Sequence, residues 1–582
     1  MQRYSHHSVV NVALVLALGV NLPGAGDAEA SLQRGMAALH TFEYEEARDA
    51  FVQARRVNPG LVMAYWGEAM TYHQTLWRNE NVPAARDALS RLGPTPAARR
   101  ARTGDPKEQG YLAAAESLFG DGDAAARRRR YADAMGTLYA RYQDDPDVAS
   151  FYALGLLGTM TRSLIGTGDA HEGHEGHSGA LAGSGTQTQV AAILDGVLRA
   201  HPDHPGALHY LLHDDDDPQH AHLALVAARA LARLAPDSSH ARHMPAHIFL
   251  QLGQWRDAMA SDRAAFAASD AWVARRRLAP AMRNYHALAW LQYELLQLGR
   301  YREAWATLDQ IAPIVKASGD LTLLSDLSTM RARWVIETAS WPLMAAESNF
   351  GNANELFAIG VSAARTGNAT LAERARGALG ERALDPREGD LRPAIAIMER
   401  ELAALMALSA GRRDESIALL RAAADAEMTL PAPLGLPAPI KPAPELLGEV
   451  LTEIGRPAEA IAPFEAALTR NANRSLSVLG LARVTAAAGQ PDVSRRRYTE
   501  LLASFDGADA DLAALREARA ALAAPTSTAA PSSRTPSLVV VTLAVALVAT
   551  IAGAVALRAK KKRGPVARAP QRDSQHRKRR NR

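Results

Sequence analysis

Leu447-Gly448-Glu449-Val450-Leu451-Thr452-Glu453-Ile454-Gly455-Arg456, followed by Ala460, Phe464 and Ala467, is the stretch from which the fold is read. Thirty-four residues after Leu447-Gly448 comes Leu481-Ala482, then Thr485, Gly489-Gln490, Tyr498 and Leu501. Small residues stand where two helices would cross, a glycine closes the first helix, and an aromatic residue follows in the second. A unit of this kind is a helix–turn–helix that cannot bury its apolar face alone, so neighbours must stack.

Working outward, divergent copies use the same parts. Gly35 and Ala47 are followed by Phe51, Ala54 and Pro59; Leu252-Gly253-Gln254-Trp255 leads to Ala258; Leu298-Gly299-Arg300-Tyr301 leads to Ala304 and Leu308. Leu408-Ser409-Ala410 precedes Gly411 and a second helix, Glu415 to Ala424. The period and residue types are those of tetratricopeptide (TPR) repeats. Gly253 and Gly299 are forty-six residues apart, so insertions interrupt the array. Strand signals are nearly absent, and period-3.6 segments rich in Ala, Leu and Arg fill the chain. The expected fold is all-α, a TPR-like α-α superhelical solenoid, with arrays over 31–255 and 256–524 and a His-rich insertion at 167–189.

The ends differ from this body. Met1 to Ala30 reads as a signal peptide: Arg3, the apolar run Val9 to Leu22, then Ala28-Glu29-Ala30 with the small residues a signal peptidase needs. A buried first helix is the plainer alternative. A linker at 525–537 leads to an uncharged run at 538–557, Leu538 to Leu557, long enough for a single transmembrane helix. Arg558, Lys560, Lys561, Lys562 and Arg563 follow at once, opening a basic tail at 558–582. Positive residues stay on the cytoplasmic side. The expectation is a single-pass protein of a bacterial cytoplasmic membrane, with the array outside (periplasmic or extracellular) and the tail inside.

The tail also explains the charge. It holds twelve Lys or Arg against Asp573, so +11 of a chain that is +4 overall, leaving about −7 on the rest. No nucleic-acid partner is expected for the ectodomain. The absence of cysteine excludes disulfides and thiolate metal sites.

Histidine is unevenly spread: twelve of eighteen lie between His171 and His247. His171-Glu172-Gly173-His174-Glu175-Gly176-His177 sits in a Gly/Ser/Thr-rich stretch that reads as a loop without a fixed role. The second set is more ordered. His209 and His213 share one face of a helix opened by Pro205. Asp217-Pro218 is expected to cap and start the next helix, with His220 and His222 near its start. His243 and His247 follow, with Pro245 expected at a helix start and His243 outside that helix. Imidazoles and carboxylates suit a divalent metal such as zinc or manganese. The candidate metal or ligand residues are His209, His213, Asp216, Asp217, His220, His243 and His247. Structural histidines at unit boundaries are the plainer alternative. No catalytic residue is assigned, because neither His pair holds the Glu of His-Glu-x-x-His.

Tyr65, Trp66, Glu68, His73 and Trp77 are candidates for an inner binding face of an early unit, with packing as the plainer role. Tyr285-His286 and Trp290 read as packing residues. Arg127 to Arg130 reads as a solvated helix face, and Pro431 to Pro444 as an ordered crossover between units.

The chain resembles a known group of bacterial exported TPR proteins over about residues 32–505. The matching motifs are Ala64-Tyr65-Trp66-Gly67-Glu68-Ala69-Met70, Phe151-Tyr152-Ala153-Leu154 and His204-Pro205-Gly206-Ala207-Leu208-His209-Tyr210. Asp216-Asp217-Pro218-Gln219-His220-Ala221, His243-Met244-Pro245-Ala246-His247-Ile248, and Lys441-Pro442 with Glu445-Leu446-Leu447-Gly448-Glu449 also match. The resemblance implies a TPR solenoid and export, and it singles out the same His and Asp residues. It implies no activity.

Two functions are expected from these features. The first is a membrane-anchored scaffold whose concave helical surface binds a peptide or protein partner. The second is a divalent-metal-binding or metal-dependent hydrolytic protein using the His/Asp cluster between 209 and 247. A structural joint between two sub-arrays is the third, plainest reading.

Overall fold

A computed structural model describes residues 28–160, 185–345 and 351–524. The expected signal peptide (apart from its last three residues), the His171–His177 stretch, the linker, the apolar run 538–557 and the basic tail lie outside the described residues. Among the described residues no helix is long and apolar enough to cross a membrane. One compact unit extends to Ala523; the second, beginning at Ala524, lies outside the described residues from 525 onward.

The described body is an all-α array of helical hairpins, TPR-like in its units. Its first helix, Ala28–His40, includes Ala28-Glu29-Ala30, read above as cleavage residues. The one sheet among the described residues is a two-residue ribbon pairing His73–Gln74 with Asn79–Glu80. The repeat logic is visible in two triplets of equal spacing. Phe51 is fully buried between Gly35 and Gly67, and Phe464 between Gly448 and Gly480. A Cβ at Gly35 would lie 2.6 Å from the Phe51 ring, and one at Gly448 2.7 Å from Phe464. Glycine is therefore what lets neighbouring helices close on each aromatic plug.

The array also turns back on itself twice. In the first closure, the Ala28–His40 and Tyr44–Val57 hairpin meets helices more than 150 positions later. Tyr210 Oη lies 3.0 Å from His40 Nδ1, Ser238 Oγ donates to Glu43 at 2.5 Å, and Trp272 Nε1 donates to Glu46 at 2.6 Å. In the second, the region 253–302 meets 473–511. Trp255 Nε1 donates to the Asn473 carbonyl at 2.8 Å, and the Ser475 and Asp509 N–H groups donate to Gln297 Oε1 and the Gly299 carbonyl. Arg474, with no exposed surface, sits here between Glu445 (2.8 Å), Glu337 (2.7 Å) and the Tyr293 hydroxyl (3.1 Å). The Ser239–Gln251 and Trp255–Arg276 hairpin stands where the two closures meet.

Three local expectations are corrected. Pro245 lies inside the Ser239–Gln251 helix, and His243 is helical too. The Ser238 side chain accepts from the Ala241 N–H and starts the helix early, while buried Met244, Ala246 and Ile248 hold it through the proline. Asp217 does not start the next helix, which runs Ala221–Leu234; its carboxylate instead closes a turn by accepting from the Gln219 and His220 N–H groups. Arg127 is buried against Glu80 and the Gly122 carbonyl and does not lie on a solvated face. The Pro431–Pro444 stretch runs between the Arg413–Thr429 and Ala443–Glu453 helices with Leu434, Leu436 and Ile440 buried.

Candidate metal centre

Three successive hairpins open with helices Pro205–Asp214, Ser239–Gln251 and Tyr285–Gln297. Each is capped alike: His204, Ser238 and Asn284 accept, through their side chains, the N–H of Ala207, Ala241 and Ala287. This common start fixes equivalent positions. His209 and His213 are the fifth and ninth residues of the first helix, His243 and His247 those of the second. His240 and His286 are the second residues of the second and third helices.

The fold joins each pair to the single histidine of the next helix. His209, His213 and His240 form one cluster, and His243, His247 and His286 another, with ligand-capable atoms within 4.8 Å of one another in each. In the first, His209 Nε2 lies 3.0 Å from His240 Nε2 and 3.2 Å from His213 Nε2. In the second, His243 Nε2 lies 3.0 Å from both His247 Nε2 and His286 Nε2. The second cluster is a repeat image of the first.

The outer ring nitrogens define the protonation. His209 Nδ1 donates to the His40 carbonyl at 2.7 Å, and His247 Nδ1 to Asp216 at 2.7 Å and the Leu434 carbonyl at 3.1 Å. A carbonyl can only accept, so Nδ1 of each ring carries a proton, and Nε2 is the nitrogen left to face its cluster. His243 Nδ1 meets Asp262 Oδ1 at 2.5 Å. One in-plane lone pair accepts one well-aligned N–H, yet each central nitrogen, on His209 and His243, is met by two others. A cation is met by all three at once. Tetrahedral coordination at about 2.0–2.1 Å puts ligand nitrogens roughly 3.3 Å apart, close to the spacings found. Carbonyl and carboxylate partners on the far nitrogen are the usual support of a metal-ligating histidine.

Electrostatics agree with neutral, ligand-ready rings. Burial lowers His209 to about 4 and pushes His240 and His243 well below the ordinary histidine value, with neighbouring imidazoles adding to the effect. Behind His243, burial raises Asp262 well above the carboxylate range and Glu294 to about 8. His213, His240 and His286 are half-buried. Phe42 and Trp77 flank the first cluster and Trp290 the second.

A third group, His40, Asp147 and His204, is explained by hydrogen bonds alone. His204 Nδ1 accepts the Ala207 N–H at 3.1 Å, so its Nε2–H donates to Asp147 at 3.2 Å. His40 Nε2 donates to the same carboxylate oxygen at 2.8 Å and takes the Tyr210 hydroxyl on Nδ1. Burial would raise Asp147, but these two imidazoles outweigh it and hold the carboxyl below its usual range.

Of the seven sequence candidates, His209, His213, His243 and His247 fall in the clusters and Asp216 supports one of them. Asp217 pairs with His220 at 2.7 Å, apart from both clusters. Sequence reasoning missed His240, His286, Asp262 and Glu294. A signal for the first two existed: His240 to His286 is the same forty-six residues as Gly253 to Gly299, and His209 to His243 is the TPR period of thirty-four. Of the early aromatic set, Trp66 is core, Glu68 is ion-paired to Arg55 and Arg91, and His73 is buried 3.5 Å from Glu80. Tyr65 donates its hydroxyl to the Pro59 carbonyl, and Trp77 reaches the first cluster.

No family model and no curated protein sequence matches the chain. Its structure is similar to a tetratricopeptide repeat protein from Parabacteroides merdae, at 16% identity and TM-score 0.27, over 49% of this chain and 97% of that one. It is also similar to the human IFIT1 dimer with m7Gppp-AAAA, at 12% identity and TM-score 0.30, over 88% of this chain and 93% of that one. Yeast Tom70 aligns at 13% identity and TM-score 0.26, over 85% and 95%. Likenesses of this degree say nothing about what the chain binds.

Proposed function

We propose that this protein is a metal-binding protein built on a TPR-like array, each three-imidazole cluster holding one late first-row transition-metal ion. The observation that carries the reading is the convergence of three Nε2 atoms in each cluster, with the lone pairs of His209 and His247 turned inward by carbonyl acceptors on Nδ1. Neutral nitrogen donors suit zinc, copper, nickel or iron; manganese prefers oxygen. Zinc or copper is therefore the better expectation. Three protein ligands leave a fourth position for water or a small ligand. Asp216 and Asp262 lie behind imidazole rings, not at that position, so hydrolysis is not part of the proposal.

The test is the metal content of the full-length protein purified without chelator, beside His209→Ala and His243→Ala variants. Two ions per chain falling to one in each variant supports the reading. A parent chain that stays metal-free after incubation with zinc and with copper sinks it.

The topology belongs to the same proposal: Met1 to Ala30, Leu538 to Leu557 and the basic tail support an anchored protein with its array outside the cytoplasmic membrane. Protease added to spheroplasts should digest the array; protection until lysis would reverse the orientation.

One observation favours partner binding in addition. A cavity of about 300 Å³ is lined by Trp341, Phe357, Leu405, Arg365, Lys441 and Glu449, apolar walls with charged groups at hand. If envelope proteins crosslink equally to the parent and to a Trp341→Ala, Phe357→Ala variant, no partner sits there.

A further inference from the structure

We infer that the two three-histidine clusters form one dinuclear centre, whose open positions are bridged by a single small anion of one to three atoms. The inference rests on the metal reading above and deepens it. Its basis is placement. His240 of the first cluster and His243 of the second stand three residues apart on the Ser239–Gln251 helix, where such neighbours have Cβ atoms about 5–6 Å apart. The one helix thus supplies a ligand to the first site and two to the second, and holds the sites side by side.

The charge balance then points to the bridging ligand. All six donors are neutral imidazoles, so nothing in direct contact offsets two neighbouring dications. Asp216 and Asp262 are engaged on the outer nitrogens of His247 and His243. They can polarise the rings but cannot stand between the ions. An anion lying between the two open positions relieves the repulsion of both ions, so one anion shared is favoured over one on each. His213, His240 and His286 are half-buried, and the Phe42, Trp77 and Trp290 rings pack beside the clusters. Hydroxide, peroxide and azide have the right size and charge.

Copper(II) and azide are the probes. Full-length protein loaded with two copper(II) ions per chain is expected to lose most of its electron paramagnetic resonance signal, because a shared bridge couples the two spins. Azide is expected to titrate a charge-transfer band to saturation at one azide per pair. His213→Ala and His286→Ala, each removing a half-exposed ligand, should each restore the signal of a single isolated copper. Circular dichroism melting of both variants checks that they fold. Two coppers per chain with a full, uncoupled signal, or two azides per pair, would overturn the dinuclear inference and leave the metal reading standing. Failure to bind either copper or zinc would remove both.

Discussion

His243 and His247 stand one turn apart on a helix that runs through Pro245, with their Nε2 atoms 3.0 Å from each other. The Nδ1 of His247 is engaged by Asp216 and the Leu434 carbonyl, and that of His243 by Asp262. The inward nitrogens are therefore oriented by groups that touch no metal themselves. Asp216→Asn and Asp262→Asn are expected to keep the full metal count at saturation and to weaken binding by about 10–100-fold. Competition against a chelator of known affinity reads this directly. Unchanged affinity in both variants would mean that the carboxylates do not orient the rings.

Arg474 is the charge on which the second closure depends. It is fully buried, with Glu445 and Glu337 both in ion-pair contact. Arg474→Met removes the cation and leaves two buried carboxylates without it, an effect of about 3–5 kcal/mol. Lysine should rescue poorly, since a single ammonium cannot reproduce the two-pronged contact with Glu445. The measurement is the guanidinium midpoint, with the slope of the transition checked for constancy.

Gly448 tests the repeat packing. Alanine there would put a methyl carbon 2.7 Å from the Phe464 ring, too close for the ring to stay where it is. Overpacking of this kind costs about 1–3 kcal/mol. Gly35→Ala should behave alike against Phe51, whereas Gly377→Ala, with open space at the same position, should not lower the melting temperature.

Glu427 predicts a pH dependence. It is buried, and desolvation raises its pKa from 4.5 to about 7 despite the Ala443 N–H at 2.6 Å and the nearby Arg470. The folded state then holds a proton that the unfolded state releases above about 4.5, so stability falls as pH rises. Its contribution is complete below pH 4.5 and is lost as pH climbs to about 7, a change on the order of 3 kcal/mol. Glu427→Gln keeps the acceptor for Ala443 and should flatten denaturant stability over that window. An equally steep profile in the variant would place the effect elsewhere, with buried Glu401 the next group to test.

How much of this was legible depended on distance along the chain. The Leu447-Gly448 unit and the Gly35, Phe51 pairing were readable because each plug and its glycine lie within one repeat. So was the His209/His213 pair, set by helical spacing alone. His240 and His286 were not seen as ligands because each joins its cluster from the next hairpin. Their equivalence is also hidden by a twenty-two-residue second helix, Trp255–Arg276, which stretches the interval to forty-six. Pro245 misled in the opposite way: the local rule was sound, but the Ser238 cap and the buried face of the helix outweighed it. Arg127 looked solvated because its partner, Glu80, is forty-seven positions away. Nothing in a repeat pattern announces that the array closes on itself.

The contact between His247 and the Leu434 carbonyl spans 187 positions, and it gives the two clusters different birthdays. Chains are made from the amino end, and early segments fold first. Everything the first cluster needs, down to the His40 carbonyl, exists once residue 240 has emerged. The second waits for His286 and then for the proline-rich segment that closes over it. A chain stopped short of residue 434 would carry one cluster with all its partners and one still open, so on the metal reading proposed above the first ion to bind would go to the site nearer the amino terminus.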